Sequence, residues 1–426
     1  MKREKSFMAR GLQLITLLIT IAVAALFLLG STLAPTRALA AQGSAAKPAA
    51  AGTKTLKVAL NNSITWPLGV YFAQGVQIDV DEINKNGGLL IGGEKYMIQL
   101  NMDENNLDAA GAKTAAQKEI FQDGVKFILA DRMGENIVSL TEANKVLLAA
   151  VVSTNGLYDR NYKYCFMGGA LKTSWVATLP WYVHKFPAAK TYVGAFQDNA
   201  QGHGYGETFS AAAKALGLKV FPPIYYPPSA TDLSAVGTKV KTLNPDIFAP
   251  AGANPQTDSL LFKVAYQAGY KGQKLGCSPT AGKITIGLTG PDAVEGLLGV
   301  SWPTEFDPPP TAVAKEWKAL YMAKFKKWDY PDPVYVSEWY MLKAALQQAG
   351  STDPEKVAAV LNNGMKFEAP NGMGQMIARP DLGITRTMDV IYAMPIKKIT
   401  GGQVQLIDTM ALDQQPAWLK TIYGSK

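Results

Sequence analysis

The chain carries only two histidines, His184 and His203, and two cysteines, Cys165 and Cys277. No Cys–His spacing among them matches a zinc site, and histidine-assisted nucleophilic catalysis has little to work with. Carboxylate pairs occur, but none comes with an acid/base or nucleophile constellation, so an enzyme is not expected. No Gly-x-Gly-x-x-Gly follows the first apolar run, which disfavours a dinucleotide site; Gly87 and Gly88 read as a helix stop. No metal and no cofactor are expected. Lys and Arg are scattered rather than clustered, with no zinc-finger spacing and no basic helix, which argues against a nucleic-acid partner. The chemistry left is non-covalent recognition by loop residues. Trp66 and Tyr158 stand where an aromatic ring can stack on a flat ligand, packing being the alternative reading.

Those loops must be positioned by regular elements, and the chain supplies them in alternation. Leu56–Leu60 reads as a strand; Phe72, Val76, Val80 and Ile83 recur at helical spacing and run into Asn86-Gly87-Gly88. A strand Tyr96–Met102, a helix from Ala109 to Phe121, a strand Phe127–Ala130, a helix Ile137–Asn144 and a strand Val146–Val152 continue the pattern. It begins again after Trp175, with a helix to Lys185 and a strand Thr191–Phe196. Helix Gly206–Leu216, strand Lys219–Tyr225, helix Leu233–Leu243, strand Ile247–Ala251 and helix Thr257–Ala268 follow. Regular alternation implies parallel strands, right-handed crossovers and helices on both sheet faces. The expected fold is therefore α/β, with two doubly wound (Rossmann-like) lobes. Ligands of such sheets sit beyond the carboxyl ends of the strands. The loops to converge on one cleft are Asn61–Gly69, Asp131–Asn136, Ser153–Tyr158, Gln197–Tyr205, Gly252–Gln256 and Cys277–Gly282.

At the N-terminus Lys2, Arg3, Lys5 and Arg10 precede an apolar stretch, Leu12–Leu29, and a small-x-small site at Ala38-Leu39-Ala40. This is the pattern of a secretory signal peptide over residues 1–40. An uncleaved anchor is the alternative, since the stretch approaches the ~20 residues that span a bilayer. Residues 41–53 are too poor in bulky apolar side chains to pack and read as a flexible leader. Without residues 1–40 the chain loses five basic residues and one acidic, and its formal charge falls from +8 to +4. Secretion permits disulfides, but the layout puts Cys165 and Cys277 in different lobes, and two free buried thiols are expected.

Motifs in order along the chain carry a resemblance. Asp81-Glu82-Ile83-Asn84-Lys85-Asn86-Gly87-Gly88, Asp103-Glu104-Asn105-Asn106 and Gln122-Asp123-Gly124-Val125 lie in the first half. Pro227-Pro228-Ser229-Ala230-Thr231-Asp232-Leu233-Ser234, Asn244-Pro245-Asp246, Thr352–Val357 and Pro370-Asn371-Gly372 follow. Together they resemble the type I periplasmic binding proteins, specifically the leucine/isoleucine/valine-binding family of ABC transporters. The resemblance implies three lobe crossings, placed near Lys172, Ser301 and Arg386. Lobe 1 would then comprise residues 54–172 and 302–385, and lobe 2 residues 173–301 and 386–426. It also implies a periplasmic monomer that captures a small molecule by domain closure and meets the permease subunits of an ABC importer. A ligand-sensing module of a receptor or regulator is the alternative.

Within the cleft loops the expected ligand contacts are Trp66, Arg132, Met133, Ser153, Thr154, Asn155, Tyr158, Gln201, Gly252, Asn254 and Ser278. Ser153 and Thr154 keep the polar character with which the family grips a carboxylate, local capping being the alternative. Where relatives have small residues with Gly, this chain has Asp131, Arg132 and Met133. Arg132 suits a bidentate pair with a ligand carboxylate, or else a surface or inter-lobe salt bridge. The loop Cys277–Ala281 lacks the acid that amino-acid binders place against an ammonium, and Gln201 stands where relatives carry Tyr. A carboxylate with an apolar or aromatic body and no ammonium is the expected ligand, with a branched-chain amino acid as the family default.

Overall fold

A computed structural model describes residues 54–152, 156–170, 175–252, 255–279 and 281–424. The expected signal peptide, the leader and the first lobe crossing near Lys172 lie outside the described residues.

The first half alternates as its apolar spacing requires: β1 Lys54–Asn62, α1 Pro67–Lys85, β2 Leu89–Ile91, β3 Glu94–Glu104, α2 Ala109–Gln117, β4 Phe127–Ala130, α3 Gly134–Ala143, β5 Leu147–Val152 and β6 Cys165–Ala170. Pro67 opens α1, where its missing N–H costs nothing. Gly88, at φ +99°, closes the helix by donating to Ile83 O at 2.9 Å. Asp108 caps α2 by accepting from the backbone of Ala110 and Gly111. The six strands form one sheet in the order β2-β3-β1-β4-β5-β6, parallel except for the β2–β3 hairpin. All four residues of β4 are buried, as a strand covered by helices on both faces demands.

The second half brings α4 Thr178–Lys185, β7 Thr191–Val193, β8 Ala195–Gln197, α5 Ala200–Ala215, β9 Lys219–Val220, β10 Ile224–Tyr226, α6 Ser234–Leu243, β11 Ile247–Phe248, α7 Pro255–Gln267, β12 Gln273–Gly276, α8 Gly282–Thr289 and β13 Leu298–Val300. The sequence suggests one strand over 219–225; Pro222 and Pro223, which lack the ladder N–H, divide it into β9 and β10. Asp232 accepts from Ser234 N at 2.8 Å in a local turn just ahead of α6, whose N-cap Leu233 has no side-chain cap.

After β13 come α9 Ala312–Phe325, α10 Val336–Ala349, α11 Pro354–Leu361, β14 Lys366–Ala369, β15 Gly372–Arg379, β16 Ile384–Tyr392, β17 Met394–Thr400, β18 Gln403–Met410 and α12 Gln415–Tyr423. Strands β14 to β16 form a small antiparallel sheet whose last strand lies beside β6: Arg386 donates to Cys165 O at 2.8 Å, and Tyr392 OH donates to Gly168 O. Strands β17 and β18 extend the second large sheet, ordered β18-β17-β13-β12-β11-β7-β9. The chain leaves the first sheet system at Ala393, beyond Arg386, because the ladder between β15 and β16 continues to Tyr392. Cys165 and Cys277 are both free and buried, and burial pushes both thiols up.

Helix α10 is tied to α1 by a buried carboxylate. Asp79 accepts from Trp339 Nε1 at 2.5 Å, Tyr340 OH at 2.9 Å and Lys343 Nζ at 2.7 Å. A buried charge is tolerated when it is paired and hydrogen-bonded in this way.

Candidate functional site

Two facing groups of loops enclose a cavity of about 370 Å³ between the lobes. From the first lobe come Trp66, Pro67, Leu68, Tyr71 and Arg132; from the second, Gln197, Gln201, Gly252, Gln256, Pro279, Ala281 and Ile284. The segment after β13 adds Trp302, Thr304 and Glu305, and the loop between α9 and α10 adds Trp328 to Asp332. Five of the six loops expected at the carboxyl ends of the strands therefore reach one cavity. The described part of the sixth does not line it.

A buried polar chain sets the first-lobe rim. Asp131 accepts from Ser63 N at 3.0 Å, Met133 N at 2.9 Å and Asn105 Nδ2 at 3.0 Å. Asn105 in turn donates to Asn61 Oδ1 at 3.2 Å, and Asn61 reaches Glu119 at 3.4 Å. Burial pushes the Asp131 carboxyl above the usual range, opposed by these donors and by Arg132. Asp131 so holds the loop carrying Trp66 and its own loop in a fixed relation, and Arg132 follows it in the chain.

The Arg132 guanidinium lies over the Trp66 ring, 4.6 Å from its centroid, and its Nε donates to Tyr335 OH at 3.2 Å. Trp66 meets Tyr335 edge-on at 5.4 Å. Face and one edge of the guanidinium are thus held by aromatic groups, while Nη1 and Nη2 have no hydrogen-bond partner among the described residues. That is an arrangement for gripping a planar anion in two places.

The carboxylates around the cavity differ in what they already hold. Glu305 is paired with Lys397 at 3.1 Å and accepts from Gly282 N and Ser301 Oγ. Asp329 accepts from Tyr321 OH at 2.9 Å and pairs with Lys327 at 3.1 Å. Asp332 accepts from Val334 N at 2.9 Å, and burial pushes its carboxyl up to about 6 against that bond and the pull of Arg132.

Of the sequence-predicted residues, Trp66, Arg132, Gln201 and Gly252 stand on the cavity wall. Gly252 adopts φ +83° beneath the Tyr205 ring, a place without room for a Cβ. Three others are turned to protein partners. Tyr158 donates to Asp389 at 2.8 Å and stacks on Arg379 at 4.9 Å, because the buried Arg379–Asp389 pair claims its hydroxyl. Ser278 Oγ donates to Asp258 at 2.6 Å, and Met133 packs half-buried on the core. Ser153, Thr154, Asn155 and Asn254 lie outside the described residues.

The sequence reading missed Tyr71, Trp302, Glu305 and the whole segment Trp328–Asp332. The last group supplies carboxylates that the loop Cys277–Ala281 lacks. One signal was available: Trp328-Asp329-Tyr330-Pro331-Asp332-Pro333 is a non-periodic, aromatic and Pro-rich stretch between two helices, the composition of a functional loop.

Known proteins place this architecture. The pattern of the family described as periplasmic binding protein matches residues 63–395. A leucine-, isoleucine-, valine-, threonine- and alanine-binding protein of Pseudomonas aeruginosa is 25% identical over 329 residues, covering 75% of this chain and 84% of the relative. The crystal structure of a leucine-binding protein from Thermotoga maritima covers 84% of this chain and 100% of its own, with TM-score 0.65 and 22% identity. A solute-binding protein of an ABC transporter from Rhodopseudomonas palustris, solved with 3,4-dihydroxybenzoic acid, covers 84% and 96%, with TM-score 0.63 and 20% identity. The chain belongs to the periplasmic binding protein family, a family of solute-binding proteins and not of enzymes.

Proposed function

We propose that this protein is the periplasmic substrate-binding component of an ABC importer. It is secreted through the signal peptide of residues 1–40, works as a monomer, and traps a small carboxylate-bearing molecule between its lobes. Permease subunits then read the closed form. The observation that carries this is Arg132, fixed against Trp66 and Tyr335 with both terminal nitrogens available at an aromatic-lined cavity. The volume lies within the roughly 300–1,000 Å³ of small-molecule sites. Trp66, Tyr71, Trp302, Trp328 and Tyr330 give the cavity flat apolar faces, which suits an aromatic or branched aliphatic body beside the carboxylate. Binding of leucine-type amino acids by one relative and of an aromatic acid by a structural neighbour supports the same range.

A thermal-shift and calorimetry screen against leucine, isoleucine, short aliphatic acids, benzoate and 3,4-dihydroxybenzoate tests the reading. A ligand that binds only the native state stabilises it by roughly 2.7 kcal/mol at a hundredfold excess over Kd. Arg132→Gln removes charge-assisted hydrogen bonds worth about 1.5–3 kcal/mol, so the affinity of a true ligand falls about ten- to hundredfold. Tight binding of an acid that survives Arg132→Gln unchanged refutes the assignment.

A further inference from the structure

The charges around the cavity do not cancel in the way that a plain anion needs. Glu305 is spent on Lys397, Gly282 and Ser301, and Asp329 on Tyr321 and Lys327. Asp332 differs. It lines the same cavity as Arg132, its Oδ1 accepts from Val334 N, and its Oδ2 has no partner among the described residues. Its charge acts on Arg132, on Tyr71 of α1 and on Tyr335 of α10, and it shares the cavity wall with Arg132 and Tyr71. A carboxylate ligand on Arg132 thus enters the cavity that a second carboxylate lines. Two like charges close together in a partly buried site raise each other's pKa, and both staying ionised carries a penalty. Either the ligand brings a hydrogen-bond donor to Asp332, or Asp332 takes up a proton.

Resting on the assignment of Arg132 to the ligand carboxylate, we propose that Asp332 is the specificity-determining residue of the cleft. Its free oxygen receives a donor, hydroxyl or ammonium, carried by the molecule whose carboxylate faces Arg132. The site then selects acids bearing a second, donating group over the same acids without one. This assigns to the loop between α9 and α10 the recognition that the second-lobe loop Cys277–Ala281 cannot supply.

The selection has a pH signature. Arg132 stays charged throughout, and Tyr71, Tyr335 and Tyr205 stay neutral; Asp131, also raised by burial, is held behind Arg132 by Ser63, Met133 and Asn105 and does not line the cavity, so Asp332 is the raised carboxyl that faces a ligand. A donor-bearing ligand needs Asp332 ionised, so its affinity weakens as pH falls below about 6. A ligand without a donor needs Asp332 protonated, so its affinity weakens as pH rises above the same value.

The test is calorimetry on the purified protein with two matched pairs, leucine against 4-methylpentanoate and 4-hydroxybenzoate against benzoate. Wild type, Asp332→Asn and Arg132→Gln are compared between pH 5.5 and pH 8. Asn keeps the acceptor for Val334 N, so the loop stays capped, and thermal melting checks the fold. The donor-bearing member of at least one pair is expected to bind about tenfold or more tightly at pH 7.5, and Asp332→Asn to erase that ratio. The pair that responds tells ammonium from hydroxyl. Equal binding within both pairs, or a ratio that survives Asp332→Asn, overturns the role of Asp332. If Arg132→Gln still weakens all four acids in that case, the carboxylate assignment stands alone. If none of the four binds the wild type at millimolar concentration, both readings fall together.

Discussion

Glu119 offers a perturbation whose sign and size follow from its surroundings. It sits in a single wide turn, Lys118–Gln122, that continues α2 and directs the side chain inward to full burial. Asn61 Nδ2 is 3.4 Å from its Oε2, while its Oε1 has no hydrogen-bond partner among the described residues. Burial, the largest influence, pushes the carboxyl from 4.5 up to about 8; Asp103 and Asp123 add to this, and Asn61 and Lys118 oppose it. A carboxyl raised on folding favours the folded state fully below its unfolded pKa, and that stability is lost as pH rises through the folded value. The window therefore runs from 4.5 to about 8. At 1.36 kcal/mol per pKa unit, holding the proton at pH 7 costs about 3 kcal/mol. Glu119→Gln keeps an acceptor for Asn61 and does not titrate. We expect it to match wild type at pH 4 and to exceed it by about 2–3 kcal/mol at pH 7 in urea unfolding, with Tm up by a few degrees. Ligand affinity should change less than about twofold, because the Asn61–Asn105–Asp131 chain that sets the cleft rim is retained. A variant no more stable than wild type at pH 7, or with the same offset at pH 4, refutes the account.

Two further outcomes follow from the packing, beside those given for Arg132 and Asp332. Asp79→Asn leaves Lys343 without its carboxylate in a half-buried position and disturbs the Trp339 and Tyr340 bonds. Urea unfolding should show a loss of about 3 kcal/mol, and a loss below about 1 kcal/mol would show that α10 is not held there. Gly252→Ala forces a Cβ against Tyr205 at φ +83°, so the cavity wall must shift. Titration of whichever ligand the screen identifies should give an affinity at least about tenfold weaker. Unchanged affinity would remove this wall from the site.

Much of the architecture is written in local pattern. Period-3.6 spacing in Phe72, Val76, Val80 and Ile83, wholly apolar β4 and the glycines after Lys85 are short-range properties, and each produced the element it implied. Their alternation then dictates parallel sheets and the side on which loops gather, which is why the cleft is legible in the sequence. That Cys165, in β6 of the first sheet, and Cys277, just after β12 of the second, stay apart was legible for the same reason. What escaped depends on partners far apart in the chain. Tyr158 is claimed by Asp389, 231 residues later, and Arg132 is steadied by Tyr335, 203 residues later. Nothing in the periodicity around Tyr158 or Asp332 says which neighbour will claim a hydroxyl or which cavity a carboxylate will face. The elements are set by short-range sterics and burial, so the sequence alone determined two doubly wound lobes with a cleft between them. Which polar groups are spent on the protein and which remain for a ligand is set by close packing between distant segments, and only the tertiary structure decided that.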